Sequence, residues 1–222
     1  YAGDVFQTLA RARGVPLPAP QSLGRAPAGT AIASHASGPL GVILRDMMKY
    51  STNLTAEAVG MTASAARKVD PAHGASGAAM ADWLRARAGT GAVRFADHSG
   101  LGADTRISAM DMVRALRLLG PQAGLRGLMK GFELRDASGR KLQSQPFDID
   151  AKTGTLNFVS TLAGYMTAPD GTELVFAIFT GELARRARAA RDEEPAGSVA
   201  WVKRSKILQS QLLMRWATLY GS

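Results

Sequence analysis

The 222-residue chain contains no cysteine. Disulfide bonds, thiolate metal sites and a cysteine nucleophile are therefore excluded, and the redox compartment is left open. Histidine occurs only at His35, His73 and His98, without HExxH or paired-carboxylate spacing, so no metal is expected. Gly89-Thr90-Gly91 reads as a helix stop, not a phosphate loop, and no cofactor is expected. Aromatic residues are 6% of the chain and are not interleaved with a basic stretch, so the stacking platform of a nucleic-acid binder is missing. No apolar run approaches the roughly 20 residues that a membrane-spanning helix needs. Internal repeats and low-complexity blocks are also absent.

What is present fits one sizeable core: 46% hydrophobic and 20% charged residues. Lysine and arginine outnumber the acidic residues 27 to 18, for a net charge of +9. Such a surface draws polyanions, from nucleic acid to an acidic wall polymer. The densest cluster, Arg185, Arg186, Arg188 and Arg191, runs directly into Asp192, Glu193 and Glu194, which partly cancel it. A solvated basic surface is expected, and no nucleic-acid partner. The chain opens on Tyr1 in a helix-like stretch, and a processed or cut start is expected.

Apolar spacing predicts helices over residues 4–13 (Val5, Phe6 and Leu9 inward), from Pro39 (Leu40, Ile43, Leu44, Met47), from about Leu54 to Lys68, and over 74–88 around Met80, Trp83 and Leu84. Thr30–Ala33 reads as a short strand. Ser108 and Asp111 form a carboxylate version of the capping box ahead of a helix over 109–119. A short helical piece over 124–129 and a polar turn over 136–140 follow. Phe147, Ile149 and Ala151 lead into Lys152-Thr153-Gly154-Thr155, then into strand-like runs over 156–166 and 173–180 separated by Pro169-Asp170-Gly171. A long amphipathic helix over 198–219 closes the chain, with Val202, Ile207, Leu208, Leu212, Leu213 and Trp216 inward. Helices first, an antiparallel hairpin next and a packing helix last make an α+β protein.

Two stretches carry chemistry. Ser51 and Asn53 are two residues apart in a helix-to-helix loop, and in extended backbone their side chains face one cleft. Lys152, Thr153 and Thr155 offer a cation and two hydroxyls beside Gly154, a good strand on which to hold an anionic, extended ligand. The pair serine-x-asparagine, then lysine-threonine-glycine, matches two of the three elements in the signature of penicillin-binding proteins and class A β-lactamases.

With Met47-Met48-Lys49-Tyr50-Ser51-Thr52-Asn53-Leu54-Thr55-Ala56-Glu57, Asp97-His98-Ser99-Gly100-Leu101, Arg106-Ile107-Ser108 and Lys152-Thr153-Gly154-Thr155-Leu156, the chain resembles the D-alanyl-D-alanine carboxypeptidase/endopeptidase family of penicillin-binding proteins, the class C, type 4 group. The resemblance implies a penicillin-binding transpeptidase/serine β-lactamase-like fold, an antiparallel sheet flanked by helices. It implies hydrolysis of D-alanyl-D-alanine, and of cross-link, peptide bonds through an acyl-serine at an extracytoplasmic, periplasmic site, with peptidoglycan stems and β-lactams as partners. Ser51 would relay a proton, Asn53 hold the substrate amide, and Lys152 act as second cation and attract the terminal carboxylate. Thr153 and Thr155 suit that carboxylate, Gly154 lets the ligand approach, and the Thr155 N–H is half of an oxyanion hole.

The family's nucleophile, the serine of a serine-x-x-lysine motif on a preceding helix, has no counterpart. The one such spacing, Ser138-Gly139-Arg140-Lys141, lies in a polar turn after Ser51 and reads as coincidence. Residues 1–222 are thus expected to be the C-terminal portion of a single transpeptidase-like domain. The nucleophile helix and further strands would lie upstream of Tyr1, leaving strand 173–180 with an unpaired edge. A non-catalytic peptidoglycan-binding remnant of the same fold is the alternative. His98 beside Ser99 reads as structural, since no third member of a triad is identifiable.

Overall fold

A computed structural model describes residues 1–25, 28–30, 32–70, 72–189 and 192–221. Residues Tyr1–Ser37 and Gly38–Ser222 form two units. In the first, α1 (Ala2–Ala12) ends where Gly14 turns left-handed at φ 77°. The Gln7 amide donates to the Leu17 carbonyl (2.9 Å), and the chain returns so close that a Cβ on Gly3 would collide with Pro20. Val5, Phe6 and Leu9, expected inward, are exposed within this unit. The strand expected over 30–33 falls partly on Ala31, outside the described residues; its described neighbours are not in a strand.

The second unit holds α2 (Leu40–Tyr50), α3 (Asn53–Ala66), α4 (His73–Ala88) and α5 (Ala109–Leu119), close to their predicted bounds. The Ser108 hydroxyl accepts from the Asp111 N–H (3.0 Å), the expected N-cap. The Asp111 carboxylate, however, accepts from that hydroxyl (2.8 Å) and from the Gly91 N–H (3.1 Å), not from the Ser108 backbone as a full capping box requires. A 3-10 turn (Leu125–Leu128) and a short β1 (Lys130–Gly131) lead to β2 (Asp148–Leu156), β3 (Val159–Thr167) and β4 (Glu173–Gly181). After α6 (Leu183–Arg188), α7 (Ser198–Tyr220) closes the fold. The sheet is antiparallel in the order β1-β2-β3-β4, so β4 has no strand on its outer edge among the described residues, as expected.

Two features depart from the expected pattern. The run 156–166 is not one strand: a two-residue turn, Asn157–Phe158, separates β2 from β3, and Leu156 pairs with Val159. The lysine-threonine-glycine stretch therefore lies within β2 as the first strand of a three-strand meander. Trp83 and Leu208 are exposed, whereas Ala81, Leu84 and Ala88 line α4 and the buried Gln209 takes a place on α7. Gln209 is tolerated inside because its amide donates to the Ser160 hydroxyl (3.1 Å).

The main core lies between the sheet and α7. It holds Ile149, Ala151, Leu162, Met166, Phe176, Ile178 and Leu213, one alternating face of the meander. A second cluster, Ala81, Leu84, Ala88 and Val93, joins α4 to α5. On the opposite face of the sheet the Tyr165 hydroxyl donates to the Leu116 carbonyl of α5 (2.8 Å). At one end of the sheet Arg126 ties three strands together: it donates to Asp150 of β2 (2.8 Å), Thr167 of β3 (2.8 Å) and Glu173 of β4.

Arg126 is only 30% exposed, so its ion pairs are partly shielded from water. Arg126→Met is expected to lower the unfolding free energy by about 1–2 kcal/mol, measured by urea titration. A change within about 0.5 kcal/mol, the range of ordinary surface substitutions, would show that the clamp does not hold the sheet.

Candidate active site

The geometry follows from the register of β2. The Phe132 N–H donates to the Ile149 carbonyl (2.8 Å), so the backbone groups of alternate residues Ile149, Ala151, Thr153 and Thr155 point to the outer edge of β2. β1 pairs only with Asp150 and Ala151. Beyond Ala151 that edge has no paired strand among the described residues, and it presents the Thr153 carbonyl and the Thr155 N–H.

Side chains alternate with the pleat. Thr153 and Thr155 lie on the α7 face and are exposed; Lys152 and Gly154 lie on the other face and are half-buried. There the Lys152 ammonium donates to the Ser51 hydroxyl and to the Thr153 carbonyl (2.8 Å). Sequence separates Ser51 from Lys152 by 101 positions, and the fold brings them into one hydrogen bond. Burial pushes the Lys152 pKa below the ordinary lysine value.

The turn that offers Ser51 is not extended, contrary to expectation. Ser51 caps the C-terminus of α2 in the left-handed region (φ 55°, ψ 47°), and Asn53 is already the first residue of α3. Such a conformation costs a non-glycine residue about 1–2 kcal/mol. It turns the hydroxyl toward Lys152, while the Asn53 side chain stays exposed.

Gly154 has a tighter role than ligand approach alone. A Cβ there would lie 2.4 Å from the Thr161 hydroxyl oxygen on β3, its direct cross-strand partner. Thr161 is a residue of this cleft face that sequence reasoning missed; only the register reveals it.

The remaining candidates find structural places. Ser138 is exposed in the turn, where its hydroxyl donates to Asp136 (2.6 Å), and Lys141 pairs with Glu133 (2.5 Å). His98 does not pair with Ser99; its Nε2 lies 2.7 Å from the Ser76 hydroxyl. The His73 Nδ1 lies 3.3 Å from the Glu57 carboxylate. Asp97 accepts from the N–H groups of Gly100 (2.7 Å) and Gly102 (2.5 Å), shaping the loop. Past Thr155, a groove of about 930 Å³ runs between Arg106, Asn157, Leu183, Arg186 and Val199. No sequence signal marked it, because its walls come from four separate segments.

A serine–asparagine turn facing a lysine on an open strand edge, with helices on both faces of an antiparallel sheet, is an architecture shared with a penicillin-binding protein. The chain superposes on the crystal structure of penicillin binding protein 4 (dacB) from Haemophilus influenzae with a TM-score of 0.67 and 26% identity, covering 96% of this chain and 48% of that one. The chain belongs to the D-Ala-D-Ala carboxypeptidase 3 (S13) family, whose model matches residues 1–203. It is 31% identical over 206 residues to carboxypeptidase DacB of Mycolicibacterium smegmatis, covering 85% of this chain and 44% of that protein. It is 28% identical over 208 residues to D-alanyl-D-alanine carboxypeptidase DacB of H. influenzae, covering 86% of this chain and 43% of that protein. The chain thus spans somewhat under half the length of the curated relatives it matches.

The contact at Gly154 is testable by stability. Gly154→Ala is expected to destabilise the chain by about 1–3 kcal/mol, the usual cost of overpacking. Thr161→Ala in the same molecule should restore most of that loss, read as a coupling between the two sites. Equal losses in the single and double variants would mean that Thr161 does not set the need for glycine.

Proposed function

We propose that this chain forms one wall of a serine-type D-Ala-D-Ala carboxypeptidase site, acting on the peptide stems of peptidoglycan in an extracytoplasmic, periplasmic setting. The carrying observation is the hydrogen bond from Lys152 to Ser51 beside the open edge of β2. In this reading residues 1–222 are the C-terminal portion of a single transpeptidase-like domain, and the acylating serine comes from sequence outside them. The chain's coverage of its relatives, under half their length, supports that reading.

Each group then has a task. An extended peptide lies along the free edge beyond Ala151 as an added strand, a mode that needs no side chain at Gly154. The Thr155 N–H points at the acyl oxygen as half of an oxyanion hole, a contribution of roughly 3 kcal/mol. Asn53 holds the substrate amide. Lys152 and the hydroxyls of Thr153 and Thr155 flank the same edge from its two faces and receive the terminal carboxylate. Ser51 relays a proton to the leaving amine, with Lys152 as the second cation that disfavours protonation of a catalytic lysine. The groove past Thr155, lined by Arg106 and Arg186 and also by Asp104 and Asp192, gives room for the rest of a peptide stem.

A β-lactam is a mimic of the same substrate, and a crystal structure of the Haemophilus relative is a complex with one. Incubation with a fluorescent penicillin followed by intact mass measurement tests the reading. The whole encoded protein is expected to carry a covalent adduct on a serine outside these residues, and the 222-residue chain alone none. An adduct on the isolated chain would overturn the placement of the nucleophile. No adduct on either would favour a non-catalytic peptidoglycan-binding remnant, in which Lys152 and the threonines still hold a carboxylate.

A further inference from the structure

The turn that carries Ser51 and Asn53 is flanked by helices with no fully buried apolar residue. α2 buries no residue, α3 buries only Ser64, and neither helix contributes to either hydrophobic cluster among the described residues. Half-buried Ile43, Leu44 and Met47 give α2 a partial apolar seat, while the polar contacts that hold the turn converge on one face of α3.

Glu57 lies one turn beyond Asn53, on the same face of the helix. Its carboxylate accepts from the backbone N–H of Ser99 (2.9 Å) and of His98 (3.2 Å), and His73 at the start of α4 lies 3.3 Å away. One turn further, Gly60 leaves the space that the His98 ring fills: a Cβ there would lie 2.1 Å from the ring. The ring's Nε2 meets the Ser76 hydroxyl of α4 (2.7 Å), which meets the Ser64 hydroxyl of α3 (2.5 Å). Ser76 is fully buried and Ser64 nearly so, so these hydroxyls satisfy one another away from water.

We propose that Glu57 is a positioning residue for the site: seated on the 98–99 backbone and reinforced by the Gly60–His98–Ser76–Ser64 stack, it fixes the first turn of α3 and so sets Ser51 and Asn53 against Lys152. This rests on the reading of Ser51 and Asn53 as groups of an acyl-transfer cleft. Partial burial pushes the Glu57 carboxyl upward, but hydrogen bonds from Ser99 and His98 and the neighbouring His73 outweigh it and hold its pKa below the ordinary glutamate value. It is a carboxylate at neutral pH, able to accept both N–H groups at once. Glutamine keeps one acceptor oxygen of the right reach, and alanine keeps none.

The test uses the whole encoded protein with Glu57→Ala, Glu57→Gln, and Leu84→Ala as a control that weakens the α4–α5 cluster instead. In Glu57→Ala, hydrogen–deuterium exchange over 49–57 and 96–102 is expected to rise about tenfold while β2–β4 stay protected, with Glu57→Gln in between. Penicillin acylation should slow about tenfold in Glu57→Ala with little change in pre-acylation binding, recover partly in Glu57→Gln, and keep its wild-type split in Leu84→Ala. Unchanged exchange over 49–57 overturns the proposal. So does an acylation loss in Leu84→Ala that matches Glu57→Ala at equal loss of stability. A wild-type protein that is never acylated defeats the acyl-transfer reading instead, and the exchange data then decide whether Glu57 holds the turn.

Discussion

Everything at this site depends on the register of the β2–β3 hairpin. A slip of one residue would carry Lys152 into the α7 core and Ile149 to the other face, reversing inside and outside along the whole strand. The fold pins this register at the tip. Phe158 adopts a left-handed conformation (φ 56°) and is nearly fully buried. It sits edge-on to Trp201 with ring centroids 6.4 Å apart, and the Arg185 guanidinium lies 4.2 Å from its ring. The backbone cost of about 1–2 kcal/mol is offset by burial worth about 1.5–3 kcal/mol, so the aromatic wins. Asn157 completes the anchor, accepting from Ser198 (2.9 Å) and donating to the Glu193 carbonyl (3.1 Å). Glu182 accepts from the Trp201 indole (2.6 Å) and donates its own N–H to the Phe158 carbonyl (2.9 Å). The far end of the meander is fixed by Arg126, and between these two anchors the motif has one place to lie.

The two walls of the cleft are built by different physics. β2 stands on a dry core shared with α7, where displacement of any side chain opens a cavity. The Ser51–Asn53 turn stands on half-buried helices and a set of hydrogen bonds, which yield locally without unfolding the sheet. A rigid strand opposed by a turn on a polar mount combines a fixed ligand edge with a partner that can adjust to it.

The helices were legible in the sequence because their signals are local: apolar spacing, a serine cap at Ser108, stop glycines at Gly14 and Gly89. So were the two motifs and their order. The β2–β3 turn was not, since Asn157-Phe158 contains no glycine or proline and uses a bulky residue in a conformation that turn statistics assign to glycine. The mount under α3 was hidden for another reason. Its members, at positions 57, 60, 64, 73, 76 and 98, are spread over three elements and each alone has an ordinary local explanation. Gln209 misled the reading of α7 in the same way, because only tertiary contact supplies the Ser160 hydroxyl that lets an amide be buried. The reach of Lys152 to Ser51 also depended on the left-handed cap, where the sequence pattern implied an extended loop.

Hydrogen-bond valence sharpens what the Lys152–Ser51 pair can do. An ammonium has three N–H donors and no acceptor. Two are committed, to Ser51 and to the Thr153 carbonyl, and the third has no partner among the described residues, which suits the proposed carboxylate contact. Because the Ser51 hydroxyl accepts from Lys152, its own proton is directed away from the lysine and is free to be donated onward, the orientation a proton relay requires. In the proposed reading a carboxylate joining at the third donor leaves both protein contacts intact, and the Thr153 carbonyl keeps a second lone pair for a ligand amide along the strand edge. The proposed added strand and the proposed carboxylate contact can therefore form together, one on the carbonyl's second lone pair and the other on the ammonium's third proton.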